Sequence, residues 1–358
     1  MCGDDPRMIR IALIPGDGVG PEVVREAERV LSACVDAGLA RLSTESFPHG
    51  ADHYLATGET LSERSFERLR DEFDAILLGA VGDPRVPDGR HARDILLGLR
   101  MRLDLFINFR PARLRLPELS PLRSADRRPI DFVIFRENTE GLYTGAGRVE
   151  SAGEPNERAV SEAIATRPGV ERIVRAAFEH ARSEGLHRVT LGDKANAVPH
   201  VYGLWRRVFT EVSQDYPGIE ADMQYVDALA MQLVRSPDRF QVIVTSNLLG
   251  DILSDLAAEI VGGMGLAPSA NLNPGRHALY EPVHGSAPDI AGSGTANPMA
   301  AILSAALLLR NAGAAEAADR IDKAVDEALR SGIRTPDVGG ESTTAQVGGW
   351  IADRVERG

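Results

Sequence analysis

The sequence predicts an α/β fold with more than one domain and mainly parallel strand pairing. Apolar runs of strand length alternate with amphipathic stretches of helix length, and this alternation is typical of strands joined by helical crossovers. At 358 residues the chain is also long enough for two domains. The runs that predict strands are Ile9–Ile14, Phe73–Leu78, Ile130–Phe135, Arg188–Leu191 and Gln241–Thr245.

Four stretches predict helices. Pro21–Ala37 opens with a proline, which suits the first helical turn because no backbone donor is needed there. The other three are Asp251–Val261, which two glycines follow, the apolar Asn297–Ala314 and the amphipathic Ala315–Ser331. Gly141–Glu157 is glycine-rich and polar, which indicates an exposed arm.

Composition excludes several classes of partner. The chain has 40 basic and 52 acidic residues and a formal charge of −12, which disfavours nucleic acid. We expect no membrane partner, because no run of about 18 apolar residues occurs. The two cysteines, Cys2 and Cys34, are not arranged as CxxC, and we expect a reducing, cytoplasmic location.

A glycine-rich turn follows the first predicted strand. Gly16, Gly18 and Gly20 are spaced one residue short of the dinucleotide motif G-x-G-x-x-G. No acidic residue ends a second strand about 20 residues further on, where that motif requires one. A tight strand-to-helix turn that needs positive φ is therefore the preferred interpretation, and a Rossmann motif is the weaker one.

Three aspartates are candidate ligands of a divalent cation. Asp251 and Asp255 are spaced i, i+4 at the start of a predicted helix, which places both carboxylates on one face. Asp227 lies among apolar residues, where an unpaired charge would be costly to bury. Oxygen ligands suit Mg²⁺ or Mn²⁺. The residues alone leave two alternatives open, acids favoured by a helix N-terminus for the pair and a helix N-cap for Asp227.

One lysine and three arginines are further candidates. Lys194 follows a predicted strand, where a lysine that faces a cleft can act as a base, although a solvated surface residue is the alternative. Arg100, Arg110 and Arg136 come from separate segments. Guanidinium groups bind carboxylates at two points, so these three would hold a dicarboxylate unless they form ordinary surface ion pairs.

A long loop rich in glycine, proline and small polar residues runs from Glu281 to Asn297. Long ordered loops are often functional, and this one would wrap the adenosine half of a cofactor. By composition alone it is only a long loop.

Together and in this order, these segments resemble the β-decarboxylating dehydrogenases, the family of isocitrate, 3-isopropylmalate, homoisocitrate and tartrate/D-malate dehydrogenases. The resemblance extends from Ile9 to about Gln346 and is most specific in Asn247–Leu256 and Glu281–Asn297. It implies an α/β subunit of two lobes with a mixed parallel and antiparallel sheet, which is not a Rossmann fold.

The resemblance also implies the domain organisation. The larger, cofactor-binding domain would be discontinuous and comprise residues 1–105 and 262–358. The smaller domain, residues 106–261, would carry the dimer interface and an arm at about 141–157 that clasps the partner subunit. The implied homodimer has shared active sites, in which Lys194 and Asp227 enter the neighbour's cleft.

Individual residues acquire roles from the same resemblance. Asp227, Asp251 and Asp255 would bind Mg²⁺ or Mn²⁺. Lys194 would take the hydroxyl proton, and Tyr143 would protonate C3 after CO₂ is lost. The substrate-binding residues would be Arg100, Arg110, Arg136, Leu96, Leu97 and Asn196. The cofactor-binding residues would be Glu281, His284, Gly285, Ser286, Ala287, Asp289 and Asn297. NADP-using relatives have Lys-Tyr in place of Asp289-Ile290, so the expected cofactor is NAD.

The substrate follows from the segment that ends at Arg100. Leu96 and Leu97 match the apolar pair of the isopropylmalate enzymes and leave an additional carboxylate without a partner. Residues 269–274 are closer to the tartrate/D-malate branch, and Arg93 and Asp94 depart from every branch. We therefore expect a hydroxy-dicarboxylate of the (2R)-malate type with a small or apolar C3 substituent. Homoisocitrate, isocitrate or a 3-substituted malate of a specialised pathway are the alternatives.

Two rival classes remain. A metal-free hydroxy-acid reductase on a Rossmann lobe would keep its activity in EDTA, and the three aspartates argue against it. A non-catalytic regulatory subunit would have lost Tyr143, Lys194 or one of the aspartates, and all of these are present.

Overall fold

The computed structural model of the protein describes residues 7–123 and 129–358. Its strands are β1 (Ile9–Gly16), β2 (Leu42–Ser46), β3 (Ala75–Ala80), β4 (Ile107–Arg113), β5 (Asp131–Glu137), β6 (Gly147–Glu150), β7 (Arg158–Ser161), β8 (Arg188–Asp193), β9 (Glu220–Tyr225), β10 (Val242–Thr245), β11 (Pro268–Asn273) and β12 (His277–Pro282). All five predicted strands form, with ends that differ from the predicted ones by up to two residues.

The helices are α1 (Gly20–Asp36), α2 (Ala51–Thr57), α3 (Glu63–Asp71), α4 (Arg90–Ala92), α5 (Gly98–Arg102), α6 (Arg167–Ser183), α7 (Pro199–Ser213), α8 (Val226–Arg235), α9 (Asn247–Ile260), α10 (Met299–Asn311), α11 (Ala315–Arg330) and α12 (Thr344–Arg357). A π-helical turn, Arg93–Leu97, joins α4 to α5. None of the described helices combines the length and the hydropathy that a membrane span requires.

The chain divides into two compact units. The first comprises Met1–Leu105, Leu114–Arg123 and Ala258–Gly358, and the second comprises Phe106–Arg113 and Ser124–Ala257. This division differs from the expected domain boundaries at two places, since residues 114–123 and 258–261 group with the first unit. Arg115 explains the first difference, since its guanidinium, 7% exposed, pairs with Asp322 and Asp326 of α11. The Ser120 hydroxyl donates to the Ile260 carbonyl at 2.6 Å, which ties the second segment to the same unit.

In the first unit the strands lie in the order β2-β1-β3-β12-β11. The pairing is parallel except between β11 and β12. The fully buried residues of α10, which include Ile302 and Leu309, explain its continuous apolar sequence. The parallel pairing brings the ends of β1, β3 and β12 to one edge, where the glycine turn and the loop after Pro282 begin.

In the second unit the order is β4-β5-β10-β8-β9, with antiparallel pairing only between β4 and β5. The ends of β5, β8 and β10 carry Arg136, Asp193 and Thr245, which therefore lie at one edge of this group of strands. The strands β6 and β7 form a separate antiparallel hairpin. It begins in the segment predicted to be an exposed arm, and Val149 within it is 57% exposed.

The glycine turn after β1 is a structural turn, as the spacing indicated. Gly16 and Gly18 have φ values of +75° and +57°. A Cβ atom on Gly18 would lie 1.9 Å from the Ser286 carbonyl oxygen, and the Val19 amide donates to that oxygen at 2.8 Å. The turn therefore needs glycine both for its backbone conformation and for close contact with the long loop.

Asp17, within this turn, joins three other segments and is only 6% exposed. Its Oδ1 accepts from the Ala51 amide at 2.6 Å, and its Oδ2 accepts from the Gly82 amide at 2.8 Å. The Nε2 atom of His91, a fully buried residue, lies 2.8 Å from the same Oδ2. One carboxylate thus fixes the start of α2, the end of β3 and the start of α4.

We predict that Asp17→Ala lowers the free energy of unfolding by about 3 kcal/mol, because two buried amides and a buried imidazole lose their partner. Asp36→Ala is the matched control, since this exposed carboxylate at the end of α1 should change the value by less than about 0.5 kcal/mol. Urea unfolding followed by circular dichroism measures both. Equal midpoints for the two variants would contradict this role of Asp17.

Candidate functional site

In the second unit, the end of β5 and helix α9 bring together an arginine, an aspartate and a tyrosine. Arg136 is 3% exposed. Its Nε and Nη2 donate to Asn247 Oδ1 at 3.0 and 2.8 Å, and its Nη1 donates to Asp251 Oδ1. The Tyr143 hydroxyl donates to the other oxygen of Asp251 at 2.7 Å. Arg136 and Tyr143 are thus held on the two oxygens of one carboxylate.

Asp255 lies one helical turn beyond Asp251. Burial raises the pKa of Asp255; the Arg110 guanidinium opposes this shift, the Asp251 carboxylate adds to it, and Arg136 opposes it. Arg110 is 8% exposed, and its Nε donates to Asn108 Oδ1 at 2.7 Å. The β4–β5 register pairs Asn108 with Arg136, so Asn108, Arg110 and Arg136 lie on the same sheet face. This part of the unit therefore holds two guanidinium groups and two carboxylates.

Helix α9 begins four residues earlier than predicted, at Asn247. Asp251 is therefore in the second turn, and the first turn contains no acidic residue. The simple alternative, in which both acids are stabilised by a helix N-terminus, was wrong, because that effect fades beyond the first turn. Gly250 occupies the end of the first turn, where a Cβ atom would lie 2.6 Å from Arg136 Cγ.

Lys194 and Asp227 form a second cluster in the same unit. Lys194 Nζ lies 2.9 Å from Asp227 Oδ2, and their side chains are 29% and 63% exposed. The hydrogen bond from Lys194 lowers the pKa of Asp227. The N-cap alternative for Asp227 was wrong, because Asp227 is the second residue of α8 and Tyr225 is the N-cap.

Asp193, next to Lys194, is fully buried, and its carboxylate makes other contacts. It accepts from the Ala195 amide and from Arg206 Nε, each at 2.7 Å. The Arg206 guanidinium also lies over the Tyr225 ring, 4.7 Å from its centroid. Asp193 therefore fixes the turn that presents Lys194 and Asn196, and Asn196 is exposed. Among the described residues of a single chain, no group of three or more His, Cys, Asp or Glu side chains is arranged to hold a metal ion.

In the first unit, Arg100 and Glu281 are bonded to each other. Arg100 Nη2 donates to Glu281 Oε1 at 2.8 Å, and Asn271 Nδ2 donates to the same oxygen at 2.8 Å. Arg100 and Glu281 are 6% and 7% exposed. The Nε atom of Arg100 is buried without a hydrogen-bond partner in the described chain. Glu281 thus holds the arginine, and one donor of that arginine remains available.

The segment before Arg100 contains the π-helical turn, Arg93–Leu97. π-helical turns are rare in proteins, but those that occur are often at functional sites. Leu96 and Leu97 are partly buried, and Leu96 packs against the hydrophobic core. Asp94 Oδ2 accepts from the Thr60 hydroxyl at 3.3 Å, whereas the Arg93 side chain is 61% exposed. Of the two residues that depart from all branches, Asp94 therefore anchors the turn and Arg93 extends from it.

The loop that follows β12 offers one unpaired buried atom. His284 Nδ1 lies 2.9 Å from the Gly285 carbonyl oxygen, and its Nε2 is buried without a partner in the described chain. Burial lowers the pKa of His284, which favours the neutral ring. Ala287 has a φ of 38°, a conformation that is unusual for a residue other than glycine and often marks functional loops.

The remainder of the loop is anchored at its far end. Asn297 is 6% exposed, donates to Asp337 Oδ2 at 3.0 Å and accepts from the Met299 amide at 3.0 Å. Both ends of its amide thus contact this chain, so Asn297 holds the loop. Asp289 is exposed and makes no hydrogen bond to a described residue.

The structure groups the predicted residues within each unit. Arg110, Arg136, Tyr143, Asp251 and Asp255 lie together in the second unit, and Lys194 and Asp227 lie together elsewhere in it. Sequence reasoning missed the amides that fix the arginines, which are Asn108, Asn247 and Asn271. A polar residue within an otherwise buried strand was the available indication for Asn108 and Asn271, which are both fully buried.

Comparisons with known proteins identify the family. The model of the isocitrate/isopropylmalate dehydrogenase family matches residues 10–351. The chain is 47% identical over 351 residues to 3-isopropylmalate dehydrogenase of Thermobifida fusca, covering 98% of each protein. It is 48% identical over 337 residues to 3-isopropylmalate dehydrogenase of Mycobacterium tuberculosis, covering 92% of this chain and 98% of that protein. This chain belongs to the isocitrate/isopropylmalate dehydrogenase family.

Solved structures agree with this family and with its fold. Isocitrate dehydrogenase from Methylococcus capsulatus matches with a TM-score of 0.89 and 39% identity, over 98% of this chain and 100% of that one. A β-decarboxylating dehydrogenase from Thermococcus kodakarensis matches with a TM-score of 0.79 and 39% identity, over 98% and 97%. The predicted family and fold class are confirmed, and the chain is an enzyme that carries out oxidative decarboxylation of a 2-hydroxy acid.

We predict that Gly250→Ala lowers the free energy of unfolding by about 1–3 kcal/mol, because the new methyl group displaces the buried Arg136 side chain. Gly203→Ala, in α7, is the matched control, since its Cβ atom would approach no closer than 3.5 Å to Arg207 Nη1. This control should stabilise the protein by about 0.5–1 kcal/mol through helix propensity alone. Stabilisation by both substitutions in urea unfolding would contradict the packing described for Arg136.

Proposed function

We propose that the protein catalyses the NAD-dependent, divalent-metal-dependent oxidative decarboxylation of a (2R)-malate that carries a small or apolar C3 substituent, as 3-isopropylmalate does. The observation that carries this proposal is the contact of Arg136 and Tyr143 with the two oxygens of Asp251. A guanidinium group, a type of group that can bind a carboxylate, and a phenol hydroxyl therefore lie beside a candidate metal ligand. The relatives from Thermobifida fusca and Mycobacterium tuberculosis are both named 3-isopropylmalate dehydrogenase.

The two aspartates of α9 fit a hard divalent cation. Burial raises the pKa of Asp255; Arg110 and Arg136 oppose this shift, and the Asp251 carboxylate adds to it. A cation bound between the two aspartates would stabilise their charged forms. Carboxylate oxygens are ligands that Mg²⁺ and Mn²⁺ prefer. A cation held there would act as a Lewis acid on the substrate's C2 hydroxyl and lower its pKa.

The third aspartate and the lysine would come from a second copy of the chain. Asp227 and Lys194 form their own exposed pair, as residues presented to a neighbour would. Their surroundings expose apolar side chains, because Met231 of α8 is 67% exposed and Ile252 of α9 is 60% exposed. Such side chains favour burial between copies, and a two-fold interface would build two identical sites.

The chemical steps are divided among these residues. NAD, when bound, would supply the hydride acceptor. The Lys194 side chain would take the proton that leaves the substrate's C2 hydroxyl. Loss of CO₂ from the resulting β-keto acid leaves electron density at C3, and the Tyr143 hydroxyl would donate its proton there. The Arg110 and Arg136 guanidinium groups, fixed by buried asparagines, would orient the carboxylate that leaves.

The substrate class follows from the π-helical turn and Arg100. The unpaired Nε of Arg100 offers a donor to a substrate carboxylate, and Glu281 keeps the guanidinium in place. Leu96 and Leu97 offer only apolar surface, so a C3 substituent with a further carboxylate would lose its hydration without gaining a partner. We therefore favour an alkyl or small substituent at C3.

The long loop supports NAD as the cofactor. His284 Nε2 is a buried atom that a bound cofactor would satisfy, and Asp289 is a free carboxylate on the same loop. Ribose hydroxyls would donate to Asp289, whereas the 2′-phosphate of NADP would meet a like charge. Glu281, Gly285, Ser286 and Ala287 complete the proposed contact surface, and Asn297 positions it.

The test is NADH formation, followed by absorbance, with Mn²⁺ and a panel of 3-isopropylmalate, D-malate, L- and meso-tartrate, isocitrate and homoisocitrate. We expect 3-isopropylmalate or D-malate to give the highest kcat/KM, NAD to be preferred over NADP, and EDTA to lower the rate by at least about 100-fold. Asp255→Asn should abolish activity in the same way, and the exposed control Asp36→Asn should retain it.

Three outcomes would contradict this function. Activity that survives EDTA would favour a metal-free reductase. A preference for NADP would remove the proposed role of Asp289. A preference for isocitrate or homoisocitrate would show that Leu96 and Leu97 do not exclude a third carboxylate.

A further inference from the structure

A cavity of the first unit lies at the beginnings of its strands, away from the edge that carries the glycine turn and the loop after β12. It has a volume of about 630 Å³, and its lining includes Ile9, Ala75 and His277, the first residues of β1, β3 and β12. Of the proposed cofactor and substrate residues of this unit, Leu96, Leu97 and Arg100 lie on the π-helical turn and α5, Glu281 lies near the end of β12, and the others follow β12. None of them lines the cavity. The cavity is therefore separate from the proposed catalytic site.

The floor of this cavity is apolar. Ile9, Ala75, Tyr280 and Leu308 line it and are each at most 6% exposed. A volume of about 630 Å³ lies within the range of about 300–1,000 Å³ that is common for small-molecule pockets. The space can thus accept the apolar body of a ligand with more than ten non-hydrogen atoms.

Tyr280, a buried residue that lines the cavity, contributes one polar group, its hydroxyl. The Tyr280 hydroxyl accepts from Asn311 Nδ2 at 2.9 Å, and its own hydrogen has no acceptor among the described residues. Burial raises the pKa of Tyr280 to about 12, so this hydrogen stays in place at neutral pH. A ligand with a hydrogen-bond acceptor near its middle would satisfy it.

The rim carries two arginines and one aspartate, Arg276, Arg7 and Asp74. The Arg276 side chain is exposed and makes no hydrogen bond or ion pair with a described residue. Arg7 also lines the cavity, but it is paired with Asp74. Burial lowers the pKa of His277; the Arg70 and Arg276 guanidinium groups add to this shift, and the Asp71 carboxylate opposes it. Among the described residues that line the cavity, Arg276 is thus the arginine without a carboxylate partner.

We infer that this cavity is a second binding site, which takes an amphipathic monocarboxylate of about 10–15 non-hydrogen atoms. The carboxylate would pair with Arg276, and the apolar body would lie on Ile9, Ala75 and Leu308. The inference does not rest on the proposed function, since the cavity and its residues take no part in that chemistry.

The test is isothermal titration calorimetry of the full-length protein with 4-phenylbutyrate as the probe, without substrate or cofactor. Its uncharged counterpart, 4-phenylbutan-1-ol, reports the contribution of the charge. Arg276→Gln removes the cation. Arg70→Gln is the matched control, because Arg70 lies near His277, pairs with Asp71 and does not line the cavity. Ala312→Phe fills the space from an exposed position at the end of α10.

We expect saturable binding of the acid to the wild type and to Arg70→Gln. The affinity should fall about fivefold to tenfold in Arg276→Gln, as loss of a charge-assisted hydrogen bond implies, and by a similar factor or more in Ala312→Phe. Absence of saturable binding at millimolar concentrations, equal binding of the alcohol, or unchanged affinity in both cavity variants would each overturn the inference. All substituted positions are exposed, and the melting temperatures of the variants verify that they fold.

Discussion

A buried guanidinium group at the end of β5 determines the arrangement of the candidate catalytic residues. Arg136 is almost completely removed from water, so its donors need partners within the protein. Asn247 supplies one oxygen for two of these bonds, and Asp251 supplies the opposite charge. This requirement fixes the first two turns of α9, forces glycine at position 250 and brings the Tyr143 hydroxyl to Asp251. A buried guanidinium group is held in a similar way in the first unit. There Arg100 donates to Glu281, and Asn271 donates to the same oxygen of Glu281.

Much of the fold could be predicted from the sequence because buried strands and helices have their own periodicities. The residues of Ile130–Phe135 and Asn297–Ala314 show this, since both became buried elements close to the predicted bounds. The start of α9 could not be predicted in this way, because the first turn of this helix is defined by contacts of Asn247 and Gly250 with a distant strand.

The site residues fall into two groups by how they were found. Arg110, Arg136, Asp251 and Asp255 were candidates from the sequence pattern and Tyr143 from the family resemblance, and the structure places all five together in the second unit. Asn108, Asn271 and Asp17 were not predicted, because a polar side chain that bonds within the protein has no distinctive spacing in sequence. Asn108 and Asn271 bind charged side chains, and Asp17 binds backbone amides. These contacts explain why the functional groups adopt defined positions.

The central claim is that a complete site needs residues from two copies of the chain. It is tested most directly by mixing two inactive variants, Tyr143→Phe and Lys194→Met, after subunit exchange under mild denaturation. If one site takes Tyr143 from one copy and Lys194 from the other, half of the randomly formed dimers contain one intact site, and about a quarter of the wild-type activity returns. If both residues serve the same copy, every site in the mixture is damaged, and the absence of any recovery would contradict the claim.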